Sequence, residues 1–95
     1  MSFTVHALEN CPYSINAVNM LEKMHMPAKV TWIKLNEKSH YRSKQGWKSD
    51  VTFPQIYYSN YYIGGSKELK KLLKVVKTCR KYNIPIDVVK KLIKT

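Results

Sequence analysis

Residues 3–35 hold an apolar β-prone run, a helical stretch and a second β-prone run in close succession. Phe3 to Leu8 is short, apolar and bounded by Glu9-Asn10, as a buried strand would be. From Pro12 to about Met24, the residues Ala17, Val18, Leu21 and Met24 recur at helical spacing, and Pro27 stops the helix. Lys29 to Leu35, with Val30, Thr31, Trp32 and Ile33, reads as the next strand. Two strands joined through one helix pair in parallel, by a right-handed crossover. That start commits the chain to an α/β architecture.

The remainder changes the sheet from parallel to mixed. Glu37 to Gln45 is polar and reads as a short helix stopped at Gly46, with Trp47 to Val51 as a connector. Pro54 to Tyr58 and Tyr61 to Ile63 flank Ser59-Asn60 as a hairpin. Gly64-Gly65 breaks the pattern, and Ser66 is placed to cap a long helix. Leu69, Leu72, Leu73, Val76 and Cys79 form one stripe of that helix, with Lys70, Lys71, Lys74 and Lys77 elsewhere and Asn83 as its stop. Pro85 then opens a last short helix with Val88, Val89, Leu92 and Ile93 on its apolar side. The order β-α-β-α-β-β-α plus a terminal helix predicts a mixed sheet with helices on both faces.

At 95 residues the chain is expected to form one domain, residues 1–95. No apolar run is long enough to span a membrane, and the first residues lack the pattern of a cleaved leader. The expectation is a soluble, monomeric, cytoplasmic protein. Two distant cysteines make no disulfide framework, which suits a reducing compartment. The formal charge of +11 favours anionic partners without choosing among them.

Chemistry concentrates at Cys11-Pro12-Tyr13-Ser14, between the first strand and the first helix. A cysteine at a helix N-terminus meets aligned N–H groups and the positive end of the helix dipole, and both favour the thiolate. The thiolate is the species that attacks disulfides. Pro12 suits the first helical turn. The motif is Cys-x-x-Cys with a hydroxyl in place of the second sulfur. Two further stretches reach the same end of the sheet: Thr52-Phe53-Pro54-Gln55 at the start of the hairpin, and Gly64-Gly65-Ser66-Lys67 before the long helix. Cys79 lies thirteen residues beyond Ser66, roughly 20 Å along a helix. It sits on the apolar stripe and reads as a buried, inert thiol. His6, His25 and His40 are scattered and form no zinc pattern with the cysteines.

Cys11-Pro12-Tyr13-Ser14, Thr52-Phe53-Pro54 and Ile63-Gly64-Gly65-Ser66, in this order and spacing, resemble the glutaredoxin family over nearly the whole chain. The resemblance implies a thioredoxin-like fold with a four-stranded mixed sheet, glutathione as co-substrate, and partners that carry disulfides or bound glutathione. It implies Cys11 as nucleophile, with Ser14 beside it. Glutathione would contact Pro12, Tyr13, Phe53, Pro54, Gly65, Ser66 and Lys67. A cis bond before Pro54 would leave the Phe53 backbone unpaired, free to bind a peptide-like ligand as a short added strand. Gly64 and Gly65 allow positive φ and close approach. The helix start at Ser66 and Lys67 offers N–H groups to the γ-glutamyl carboxylate.

Departures from the family pattern are specific. Leu8 stands where a basic residue is common, Lys67 where an acid is common, and Phe53 replaces a valine. The cation for the glycine carboxylate of glutathione must then come from elsewhere, and Lys38 and Arg42 are the candidates. Ser14 cannot close a disulfide, so the chain is expected to run a one-thiol cycle. If Ser14 is an engineered replacement for cysteine, the parent protein runs the two-thiol cycle. Two alternatives stay open: a nucleic-acid or anionic-surface binder using the lysines and Tyr57, Tyr58, Tyr61 and Tyr62, and a carrier of glutathione or an iron–sulfur cluster. Pro12 weighs against the cluster, because cluster-binding members usually have a smaller residue there. No metal is expected otherwise.

Overall fold

The computed structural model describes residues 2–82. The final helix expected from Pro85 lies outside them. The elements are β1 (Phe3–Leu8), α1 (Pro12–Lys23), β2 (Ala28–Ile33), a 3-10 turn (Leu35–Glu37), α2 (Lys38–Gln45), β3 (Gln55–Tyr58), β4 (Tyr61–Gly64) and α3 (Ser66–Lys81). They form one four-stranded sheet in the order β2-β1-β3-β4. β1 pairs in parallel with β2 and antiparallel with β3, and β3 pairs antiparallel with β4. This is the mixed sheet that the element order predicted.

β1 alternates strictly between buried and half-buried residues, so its two sides face different layers. Phe3, Val5 and Ala7 point to one side, where they join Ile56 of β3 and meet Ala17 and Leu21 of α1 and Leu69 and Leu73 of α3. His6 points to the other. There it contacts the rings of Tyr41 on α2, Trp47 on the following connector, and Tyr57 on β3. The first layer is mainly aliphatic, with the Phe3 and Tyr58 rings paired within it; the second is aromatic.

Element ends differ from the sequence reading by small, explicable amounts. β2 stops at Ile33 rather than Leu35, because Leu35 opens the 3-10 turn. α1 ends at Lys23, and His25 takes φ 53° as the chain turns toward β2. The Met26 N–H closes that turn on the Leu21 carbonyl. Gly46 ends α2 in the left-handed region, at φ 74°, as expected of a glycine stop. α3 stops two residues before Asn83. Its cap is Gly65, not Ser66, which is instead the first helical residue and is buried.

Candidate active site

Glu9 and Asn10 set the position of Cys11. The Glu9 N–H donates to the Ile33 carbonyl at 2.8 Å, anchoring the end of β1 to β2. Asn10 then adopts φ 60°, a conformation asparagine tolerates better than most residues. The turn delivers Cys11 to the N-cap of α1, with extended backbone (φ −97°, ψ 117°) and Pro12 at the first helical position. The Cys11 carbonyl accepts the first helical hydrogen bond, from the Ile15 N–H. Its thiol is half-buried and makes no capping bond. A sulfur so placed is reachable and lies at the positive end of α1.

Ser14 sits one turn on and is fully buried. Its hydroxyl oxygen accepts a 3.0 Å hydrogen bond from the Leu8 N–H. The hydroxyl thus ties the first turn of α1, which Cys11 caps, to the end of β1. The second sulfur is remote in kind as well as place: Cys79 is buried beside Val76, against Met24, Met26, Leu72 and Val75. It is packed as the sequence pattern leads one to expect.

Beside the N-terminus of α1 a groove of 440 Å³ is lined by Tyr13, Thr52, Phe53, Pro54, Gly65, Ser66, Lys67 and Glu68. Three separate stretches of sequence therefore meet in one concavity. Tyr13 is 70% exposed and forms one wall. The Phe53–Pro54 peptide is cis, as expected. Neither the N–H nor the C=O of Phe53 has a hydrogen-bond partner among the described residues. The Gln55 side chain donates to the Thr52 carbonyl at 2.6 Å and tightens the turn.

The two glycines do different work. Gly64 has φ 127°, and a Cβ there would lie 2.8 Å from Glu68 Cγ. Gly65 has an extended backbone with φ −99°, so the expectation of positive φ holds for Gly64 alone. Glu68 is a residue that motif reasoning misses. Its Oε1 accepts a 3.3 Å hydrogen bond from the Gly65 N–H, so a built-in anion already caps α3. The available signal is the cap-to-third-residue spacing from Gly65 to Glu68. The first bond of the helical ladder is Leu69 N–H to Gly65 C=O, which leaves the N–H groups of Ser66, Lys67 and Glu68 outside the ladder.

Lys38 and Arg42 are not part of the groove's lining. Lys38 is half-buried at the start of α2. Arg42 lines an adjacent cavity of 230 Å³ with Ser39, Ser43, Trp47 and Ser49. Its Nε donates to the Val51 carbonyl at 2.7 Å, and its guanidinium carbon lies 5.5 Å from the Phe53 ring centre. Arg42 holds the backbone that leads into the cis-proline turn. Phe53, packed on Tyr41 and Trp47 as well, connects that turn to the aromatic layer.

Comparisons with known proteins decide the family. The glutaredoxin sequence model matches residues 1–63. The chain belongs to the glutaredoxin family. It is 34% identical over 73 residues to glutaredoxin 1 of Rickettsia prowazekii (strain Madrid E), covering 74% of this chain and 75% of that one. The dithiolic glutaredoxin 2-C-Grx1 of Trypanosoma brucei brucei superposes with a TM-score of 0.65 at 26% identity, covering 80% of each chain. Glutaredoxin 1 of Francisella tularensis shares the fold, with a TM-score of 0.63 at 21% identity over 81% of this chain and 96% of that one. The thioredoxin-like fold expected from the motifs is the fold observed. Membership of the glutaredoxins implies a glutathione-dependent thiol oxidoreductase. Among the described residues, no cluster of His, Cys, Asp and Glu is arranged to hold a metal ion. No described helix is long and apolar enough to cross a membrane.

Proposed function

We propose that this glutaredoxin reduces mixed disulfides of glutathione by a one-thiol cycle on Cys11. The Cys11 thiolate attacks the glutathione sulfur of a target cysteine–glutathione disulfide. The target leaves as a thiolate and takes up a proton, and Cys11 keeps the glutathione. A second glutathione thiolate then attacks the glutathione sulfur on Cys11. Oxidised glutathione departs and the Cys11 thiolate returns. In net terms, one mixed disulfide and one glutathione become one target thiol and one oxidised glutathione.

The observation that carries this reading is the arrangement around Cys11. Cys11 is half-buried at a helix start, two residues before Tyr13, which lines an open groove. The position that would hold a resolving thiol is instead a buried hydroxyl bonded to Leu8. The other sulfur, Cys79, is packed into an apolar cluster. A glutathionylated Cys11 therefore has no internal thiol to resolve it.

The groove suits glutathione residue by residue. The free Phe53 N–H and C=O can take the cysteinyl backbone of glutathione as a two-bond β-addition. Its γ-glutamyl end carries a carboxylate and an ammonium. The unladdered N–H groups of Ser66 and Lys67, with the Lys67 cation, suit the carboxylate. Glu68, adjacent, offers a counter-charge for the ammonium. Gly65 allows close approach, Tyr13 walls the groove, and Pro12, outside its lining, sits between Tyr13 and Cys11 in the chain. Lys38 and Arg42, both outside the groove's lining, are the candidate cations for the glycine carboxylate, and Arg42, 5.5 Å from the Phe53 ring centre, is the better placed. For Arg42 that role belongs to the guanidinium nitrogens not engaged by Val51.

The test is reduction of a glutathione mixed disulfide, with Cys11→Ser and Ser14→Cys assayed beside the unmodified chain. Cys11→Ser should abolish turnover. Ser14→Cys should retain it and add reduction of a protein disulfide that the unmodified chain lacks. Near-normal turnover by Cys11→Ser would make the nucleophile assignment wrong.

A further inference from the structure

Helix α3 carries seven cations and a single carboxylate in 16 residues, more than half of the chain's net charge of +11. Six of the cations are lysines: Lys67, Lys70, Lys71, Lys74, Lys77 and Lys81, all exposed. Their spacings of one, three and four residues place them within an arc of about 120° at 3.6 residues per turn. The opposite side carries the buried Leu69, Val76 and Cys79. The stripe therefore runs about 21 Å along the outer crest of the helix. The two other charged residues of α3 turn away from it. Arg80 donates to the Met24 carbonyl at 2.8 Å and contacts Met26 Sδ at 2.9 Å. Glu68 turns back onto the Gly65 N–H. None of the six lysines forms an ion pair among the described residues. Like charges three and four residues apart oppose helix formation, and a lysine in the first turn opposes the helix dipole. The stripe is a cost to the free protein that a bound anion would relieve.

We propose that this stripe docks an acidic segment of the polypeptide whose glutathionylated cysteine is delivered to Cys11. Continuity with the site decides among anionic partners. Lys67, the first lysine of the stripe, also lines the groove. An extended acidic segment lying on α3 therefore ends where the sulfur chemistry takes place. Single-stranded nucleic acid would need stacking rings within reach of the lysines. The hairpin tyrosines do not provide a row of them, and exposed Tyr82, whose ring lies 5.6 Å from Lys81 Nζ, stands at the end of the stripe away from the groove. Tyr57 and Tyr62, 5.3 Å apart, lie on the His6 side of the sheet, whereas α3 packs on the Val5 side. Tyr58 is turned to the Phe3 ring at 4.9 Å. A membrane surface is disfavoured by the absence of apolar residues within the arc.

The docking role rests on the reading of the groove as a glutathione disulfide site, and the experiment separates the two. Two synthetic peptides carry the same cysteine–glutathione disulfide, one flanked by a run of Asp and Glu and the other by Asn and Gln. Turnover of both is measured at low and high salt, with the unmodified chain and with the triple variant Lys70→Gln, Lys74→Gln, Lys77→Gln. Lys67 is left intact because it lines the groove. The expected result is a kcat/KM about 10-fold higher for the acidic peptide at low salt, converging on the neutral peptide as salt rises. The triple variant should lose that preference, keep its turnover of the neutral peptide, and melt no lower than the unmodified chain. Equal turnover of the two peptides at low salt overturns the proposal, as does a triple variant that keeps the preference. Direct binding of a cysteine-free acidic peptide, followed by fluorescence anisotropy, tests the surface even if the glutathione reading fails. Loss of turnover on both peptides with retained binding rejects that reading alone. If double-stranded DNA or anionic vesicles outcompete the acidic peptide at equal charge, the stripe belongs to that partner and the polypeptide assignment is overturned.

Discussion

The two faces of the sheet are built on different principles. Toward α1 and α3, Phe3, Val5, Ala7 and Ile56 meet Ala17, Leu21, Leu69 and Leu73, all buried. Toward α2, His6 is ringed by Tyr41, Trp47 and Tyr57, and Phe53 extends the cluster to the cis-proline turn. The aliphatic face is dry and holds the domain together. The aromatic face is half-exposed and holds the groove's backbone in place. Stability and site geometry should therefore respond to different substitutions.

The largest expected loss of stability lies on the aliphatic face. Leu69 is 0% exposed at the centre of the contact between α3 and the sheet. Leu69→Ala should cost about 3 kcal/mol by urea denaturation, from lost transfer energy and the cavity left behind. Glutathione mixed-disulfide turnover should persist wherever the variant remains folded. Trp47→Ala on the other face should cost about 2 kcal/mol, because that ring is only partly buried. The KM for the mixed disulfide should nonetheless rise, because Phe53 loses the ring it packs on at 6.1 Å. If the two variants affect stability and KM in the same proportion, the division between the faces fails.

The seam between the faces at the end of β1 gives a smaller effect. Ser14→Ala removes the acceptor for the Leu8 N–H and leaves that donor unpaired. A loss of about 1–2 kcal/mol is expected. Ser14→Cys should cost less, since a sulfur still accepts weakly from the same N–H. A neutral Ser14→Ala result would reduce the hydroxyl to a filler.

The difference between the faces also explains what was legible in the sequence. The aliphatic face follows from periodicity: alternation along Phe3–Leu8 and helical spacing in α1 and α3 are enough to mark its residues. The groove was legible because its three stretches each carry turn chemistry, in Cys11-Pro12, Phe53-Pro54 and Gly64-Gly65. The aromatic face has no period. In sequence Trp47 reads as connector and His6 as a stray histidine, because their partners come from β1, α2, a loop and β3. Arg42 reads as a free cation, yet its hydrogen bond to Val51 depends on how the connector folds back, which local pattern does not encode. Glu68 is hard to see because Gly65 offers no side chain to complete the usual reciprocal cap.

The smallest effect is a pH dependence centred on His6. Burial among rings lowers its pKa from the ordinary 6.5, so the neutral imidazole is the form the fold prefers. His6 Nδ1 and the Tyr41 hydroxyl are 2.6 Å apart, and burial raises the pKa of that phenol. The groups facing His6 are the rings of Tyr41, Trp47 and Tyr57, with no charged side chain in ring contact. Well above pH 6.5 the histidine is neutral in folded and unfolded chains alike, and its contribution is fully present. As pH falls, the unfolded chain takes up the proton first, and stability declines until the folded histidine also protonates. Denaturation midpoints should therefore begin to fall as pH drops from about 7 through the ordinary histidine range. His6→Gln keeps a polar partner for Tyr41 and cannot titrate in this range, so it should flatten that limb. Since Trp47 and Tyr41 join His6 to Phe53, the same limb should appear as weakened glutathione binding in the unmodified chain and disappear in His6→Gln. A limb that survives in His6→Gln would sever the aromatic face from the groove.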